Sequence, residues 1–107
     1  LLQNLVTSGP LDPSAQQVAL GLMRNVESDQ RWGVGVVADA GTDFANKNGW
    51  LNVDDDQGLW LTNSLGIVTV KGQQVLMVVM TQHNSSFDVG VDLVQKLATA
   101  VVPAIVL

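Results

Sequence analysis

The 107-residue sequence predicts an α+β fold, an antiparallel sheet flanked by helices in the element order α-α-β-β-β-α. Three observations predict it. Apolar residues recur at helical spacing near both ends of the chain, with Val18, Leu22 and Val26 early and Val89, Leu93 (or Val94), Leu97 and Val101 late. Two runs rich in β-branched residues, Leu59 to Val70 and Val75 to Thr81, are joined through Lys71-Gly72, which is the pattern of a hairpin. The turn formers Asn52 to Gly58 separate the first of those runs from an extended segment near 43–51.

Taken in order, Leu1, Leu2, Leu5 and Val6 have helical spacing, and Ser8-Gly9-Pro10 ends that helix near Ser8. Asp12-Pro13 supplies an N-cap with proline at the first helical position, placing the second helix at about 13–27 with Ala15, Ala19 and Met23 beside its stripe. Strands follow near 43–51, 59–70 and 74–82. The middle run is almost continuously apolar, which suits a central strand covered on both faces. Ser85-Ser86-Phe87-Asp88 reads as a capping box opening a last helix near 86–102.

Composition narrows the function. The length allows one domain at most. A net charge of −5 with five Lys and Arg residues scattered along the chain offers no basic stripe, so nucleic acid is not an expected partner. With no cysteine there is no disulfide framework, thiolate nucleophile or Cys-ligated zinc. The apolar stretch Leu97 to Leu107 is too short to span a bilayer and contains Pro103, so it reads as a core helix with an apolar tail. Leu1 lies inside an amphipathic stretch with no Met and no signal peptide, and a processed chain or fragment is expected.

The chemistry concentrates in Asn46-Lys47-Asn48-Gly49-Trp50, where a lone cation, a polar side chain and a glycine close a strand-like run. Strand alternation sends Lys47 to one face and Asn48 to the other, and Gly49 lets a ligand approach the backbone. Lys47-Asn48-Gly49 resembles the Lys-Thr/Ser-Gly motif of the serine β-lactamase and penicillin-binding-protein superfamily, with Asn48 where the family usually has a hydroxyl residue. The flanks agree, because in class A β-lactamase-related hydrolases the motif strand follows a helical region and leads into two antiparallel strands and a C-terminal helix. The stretch Thr62 to Val68 is similar to the strand after the motif strand.

The resemblance covers nearly the whole chain and implies the C-terminal part of a β-lactamase-like three-layer α/β/α domain spanning 1–107. The family's Ser-x-x-Lys and Ser-Asp-Asn motifs do not occur in these residues. It implies a serine hydrolase acting by acyl transfer on a small-molecule or peptide-like amide or ester that bears a carboxylate, in a secreted or cell-envelope setting. The nucleophile would lie on the N-terminal half of the same domain, which would be a partner of this segment and would cover its exposed sheet edge.

Carried over residue by residue, Lys47 is the catalytic cation that holds the substrate carboxylate and tunes proton transfers. Asn48 and Gly49 bind substrate, and the Trp50 backbone N–H forms half of an oxyanion hole. An amide at Asn48 argues against efficient β-lactam hydrolysis, because its length changes the distance to the substrate. A rival reading is a β-lactamase-fold binding protein that has lost activity. These residues alone are expected to acylate nothing, since the local hydroxyls lack a base.

Other motifs read as structural. Gly33-x-Gly35-x-x-Ala38 spells a dinucleotide fingerprint without the strand before it or the helix opening from it. Asn52, Asp54 and Asp56 suggest calcium, but the glycine falls one place late and Asn63 stands where a bidentate Glu is required. His83 with Ser86 and Asp88 is too compact in sequence for an aligned triad. Asn84-Ser85-Ser86 matches a glycosylation acceptor only formally. No cofactor is expected, and no metal.

Overall fold

A computed structural model describes residues 1–105; Val106 and Leu107, the end of the predicted apolar tail, lie outside the described residues. Its regular elements are α1 (Pro13–Arg24), β1 (Ala45–Val53), β2 (Leu59–Val70), β3 (Gln73–Asn84) and α2 (Phe87–Ile105). The sheet is antiparallel with order β1-β2-β3, so β2 is central and β1 and β3 are outer strands. The α+β order predicted from the sequence is the order of the fold.

Local chemistry sets the boundaries. The Asp12 carboxylate accepts the Ala15 N–H at 2.8 Å and Pro13 occupies the first turn, as the sequence requires. The helix stops at Arg24 because the Asn25 amide donates back to the Gly21 carbonyl and caps the last turn. At the start of α2 the cap is Ser86, whose Oγ accepts the Val89 N–H at 3.1 Å. Lys71 and Gly72, both at positive φ, make the two-residue turn between β2 and β3. Asp39 braces that turn from outside, its carboxylate accepting the Lys71 and Gly72 N–H groups at 2.8 and 2.9 Å. The segment expected as a first helix is a single 3-10 turn, Leu2–Leu5, which seats Leu2 and Leu5 against Leu20.

Both predicted helix stripes need correction. On α1, Val18 and Leu22 are 64% and 70% exposed, and the packed residues are Leu20, Ala19 and Met23. On α2, Val89, Leu93, Leu97 and Val101 face outward, while Gly90, Val94 and Ala98 are buried on the sheet. The sequence signal of α2 is misleading because its inner face is made of small residues. Gly90 passes so close to β2 that a Cβ there would lie 2.7 Å from the Cβ of Thr62. Large apolar residues cannot occupy such a contact, so they sit on the opposite stripe.

The sheet is covered on both faces, in two unequal layers. On one face α2 and the turn Val34–Val37 enclose Val34, Val68, Val70, Val75, Met77 and Ala98. On the other, α1 and the first turn bury Ala45 and Ile67, with Leu65 partly covered at their margin. Leu51, Val78 and Met80 on that second face are exposed.

Candidate functional site

Strand β1 places the sequence-singled residues on alternate faces. Its register with β2 sets Lys47 opposite Leu65, Asn48 opposite Ser64, Gly49 opposite Asn63 and Trp50 opposite Thr62. Lys47 and Gly49 therefore share the incompletely covered face with Leu65 and Asn63. Asn46, Asn48 and Trp50 turn toward the α2 side.

On the open face, Lys47, Gly49, Asn63, Leu65, Val78 and Met80 line a depression of about 230 Å³. The Lys47 ammonium donates to the Asn48 carbonyl, which holds it at the β1 end of the depression. Among the described residues no carboxylate lies within ion-pair distance of it, whereas Arg31 is paired with Asp43 and Lys96 with Asp92. Gly49 has a φ outside the left-handed region, and a Cβ built on it would meet nothing within 4 Å. The backbone at 49 thus has no steric need of glycine; what the missing side chain provides is open space between the Lys47 ammonium and Asn63.

Asn48 lies on the far side of the same strand and is 3% exposed. Its Nδ2 donates to the Gln30 carbonyl at 2.9 Å and the Trp32 carbonyl at 2.8 Å. Asn46, wholly buried, donates to the same Gln30 carbonyl at 3.0 Å. Ser64 Oγ accepts the Val34 N–H, and Gln95 Oε1 from α2 accepts the Gly33 N–H. These bonds sew the irregular segment 30–34 beneath the outer strand. Trp50 joins the same side, its ring 5.8 Å from Trp32 and 5.5 Å from Phe87.

The other sequence motifs resolve into structural roles. Gly33 has φ 100° and a Cβ there would lie 2.6 Å from Ser64 Cβ, while one on Gly35 would press into the Phe44 ring. Both glycines of the apparent dinucleotide fingerprint serve this packing. His83 Nδ1 lies 2.5 Å from Asp56 Oδ2, and the Ser86 hydroxyl is engaged as a helix cap, so the two do not face one another as base and nucleophile. Among the described residues no group of three or more His, Cys, Asp or Glu side chains is placed to hold a metal ion. No described helix is long and apolar enough to cross a membrane.

Sequence reasoning missed Asn63, Leu65, Val78 and Met80 as neighbours of Lys47. The signal that could have found them is the hairpin register, which brings odd positions of β2 beneath Lys47 and Gly49.

Residues 1–105 match the model of the β-lactamase enzyme family. The chain belongs to that family. No curated protein and no solved structure matches it. Membership in the β-lactamase enzyme family fixes the fold type as that of a β-lactamase-like hydrolase, with β1 as the strand bearing Lys47-Asn48-Gly49.

Proposed function

We propose that this chain contributes the Lys47 strand of a serine hydrolase that transfers the acyl group of a carboxylate-bearing amide or ester, with the nucleophilic serine on a segment outside these residues. The observation that carries the reading is the Lys47 ammonium at one end of the open depression, with no carboxylate partner among the described residues and with Gly49 leaving the space beside it unfilled. In this reading Lys47 binds the substrate carboxylate and stabilises charge that develops on acylation. Gly49 admits the substrate to the backbone, and Asn48 meets it through its main chain. The Trp50 N–H belongs to an outer strand, where half the backbone donors lack a ladder partner, and supplies half of the oxyanion hole. The setting is extracellular or in the cell envelope.

A second reading, a binding protein on the same fold without turnover, is favoured by Asn48. Its side chain is committed to two carbonyls behind the strand, so no side-chain hydroxyl at that place reaches the depression.

The test measures kcat/KM on a chromogenic lactam and a small ester for Lys47→Ala and Lys47→Arg in the domain that includes the nucleophile, beside thermal melts. Lys47→Ala is expected to lose about 3 kcal/mol of transition-state stabilisation, the scale of one preorganised electrostatic contact. Lys47→Arg recovers part of it, because a planar guanidinium does not take the place of an ammonium. Full activity in Lys47→Ala, or a loss that only tracks unfolding, refutes the hydrolase assignment of Lys47. No turnover by the unaltered domain, with ligand binding that still depends on Lys47, favours the second reading.

A further inference from the structure

We propose that Asn48-Gly49 is a self-modification site, at which the Asn48 side chain deamidates through a succinimide once segment 30–34 releases it. The proposal does not rest on the role given to Lys47. The chain has one Asn-Gly pair, and it lies on β1. Glycine after asparagine is the neighbour that most favours ring closure, because without a Cβ its N–H is unshielded and its backbone turns freely. Space is no obstacle either, since a Cβ at Gly49 would meet nothing within 4 Å.

The chemistry needs only water. The Gly49 nitrogen gives up its proton to base and attacks Asn48 Cγ; the new C–N bond closes a five-membered ring, and the Cγ–Nδ2 bond breaks to release ammonia. Water then opens the ring at either carbonyl. Attack at Cγ leaves aspartate in the ordinary chain, and attack at the main-chain carbonyl carbon leaves isoaspartate, with the chain running through the side chain. The net change converts one amide and one water into one carboxylate and one ammonium.

The fold restrains this step at the atom that must leave. Asn48 Nδ2 donates to the Gln30 and Trp32 carbonyls, while its Oδ1 has no protein partner among the described residues, so the amide is held through its nitrogen alone. That hold depends on the seating of segment 30–34, which hangs in turn on two side chains. Gln95 Oε1 accepts the Gly33 N–H at 3.2 Å, and Ser64 Oγ accepts the Val34 N–H at 3.0 Å. Local opening of the segment frees the amide without loss of the sheet. Neither product fits back. A carboxylate would face two carbonyls at a position 3% exposed. Isoaspartate adds a methylene to the main chain between Lys47 and Trp50 and offsets the alternation that places them.

The experiment incubates the domain that contains this chain in mildly alkaline heavy-oxygen water at physiological temperature, folded and in urea. Peptide mapping with tandem mass spectrometry follows the label entering each asparagine. In urea, Asn48 is expected to label faster than every other asparagine of the chain. In the folded protein its rate should be at least about thirtyfold lower, the scale of two neutral hydrogen bonds. Gln95→Ala should raise the folded rate about fivefold, the scale of one such bond, and Ser64→Ala should do the same from the other attachment. Leu20→Ala, which removes packing beneath α1 and lowers Tm, should leave the Asn48 rate unchanged. Aged protein and Asn48→Asp should both melt below the unaltered protein.

Equal rates in the folded protein and in urea overturn the proposal, as does a folded rate that Gln95→Ala and Ser64→Ala both leave unchanged. A rate that rises in Leu20→Ala in step with its lost stability also overturns it, because the gate is then global unfolding and not segment 30–34. Slow labelling of Asn48 in urea removes the site itself.

Discussion

Replacing Asn48 by the hydroxyl residue usual in the family should destabilise this chain. The Asn48 Nδ2 gives two hydrogen bonds, to carbonyls 16 and 18 residues away in sequence, from a site 3% exposed. Threonine is shorter and has one donor, so at least one of the two bonds is lost; the Gln30 carbonyl keeps the Asn46 amide, whereas the Trp32 carbonyl has no other side-chain donor among the described residues. Each such bond contributes about 1 kcal/mol net, and an orphaned buried acceptor costs about 1–3 kcal/mol. One term opposes this. The Asn48 Oδ1 has no protein partner itself, so removing it relieves a penalty.

The balance for Asn48→Thr is a loss of about 1–2 kcal/mol, and for Asn48→Ala, which forfeits both bonds and leaves a void, about 2–4 kcal/mol. In a domain of this size 1 kcal/mol lowers Tm by about 4–8 °C. Thermal and urea melts followed by far-UV circular dichroism measure it. The reasoning is refuted if Asn48→Thr melts at or above the unaltered chain, because the inward amide would then not be the clamp that holds segment 30–34.

Gly90→Ala gains helix propensity of about 1 kcal/mol but drives a methyl into Thr62, and overpacking of about 1–3 kcal/mol should prevail in a chemical melt. Adding Thr62→Ala should restore much of the loss; no restoration would place the strain elsewhere. Phe87 touches the rings of Trp32, Trp50 and Trp60, and Phe87→Ala should cost about 2–4 kcal/mol in the same assay, with a loss under 1 kcal/mol refuting its place at the centre of the cluster. Asp39 is held below the ordinary carboxylate value of 3.8 by the Gly72 N–H and then the Lys71 N–H. A depressed folded-state value means that its contribution is present above the unfolded value and is lost as pH falls through the folded one. The Tm gap between the unaltered chain and Asp39→Asn should hold steady from neutral pH to about pH 4 and close below it, and a gap that widens in acid would refute the bracing of the hairpin turn.

The parts of this fold legible in the sequence are those decided by neighbours in the chain. Asp12-Pro13 opens α1, Lys71-Gly72 turns the hairpin, and β2 runs from Leu59 to Val70 as its composition indicates. The alternation of Lys47 and Asn48 was equally visible, since a strand permits nothing else. Illegible were features decided across the fold. Nothing local marks Asn46 and Asn48 as partners of Gln30 and Trp32, or Gln95 as the acceptor for Gly33, 62 residues away. Gly33, Gly35 and Gly90 look like breaks in apolar patterns, yet each exists because another element passes where a side chain would stand. The outward stripe of α2 misled for the same reason, as hydropathy identifies an amphipathic face but not which close approach a helix must make.

The chain's tryptophans, Trp32, Trp50 and Trp60, all flank Phe87, with centroid distances of 5.5 to 6.0 Å to its ring. Intrinsic emission from this protein is therefore an optical probe of one corner, the seating of the first turn of α2 on the sheet. Trp32 and Trp50, tilted by 57° at 5.8 Å, are close enough for their excited states to couple, so far-UV circular dichroism should carry an indole exciton couplet that fades when this corner comes apart. Ligands at Lys47 occupy the other side of β1 and should leave emission almost unaltered. A fluorescence titration would thus read a filled site as an empty one, and a fluorescence melt would time the release of one helix end rather than the loss of the sheet.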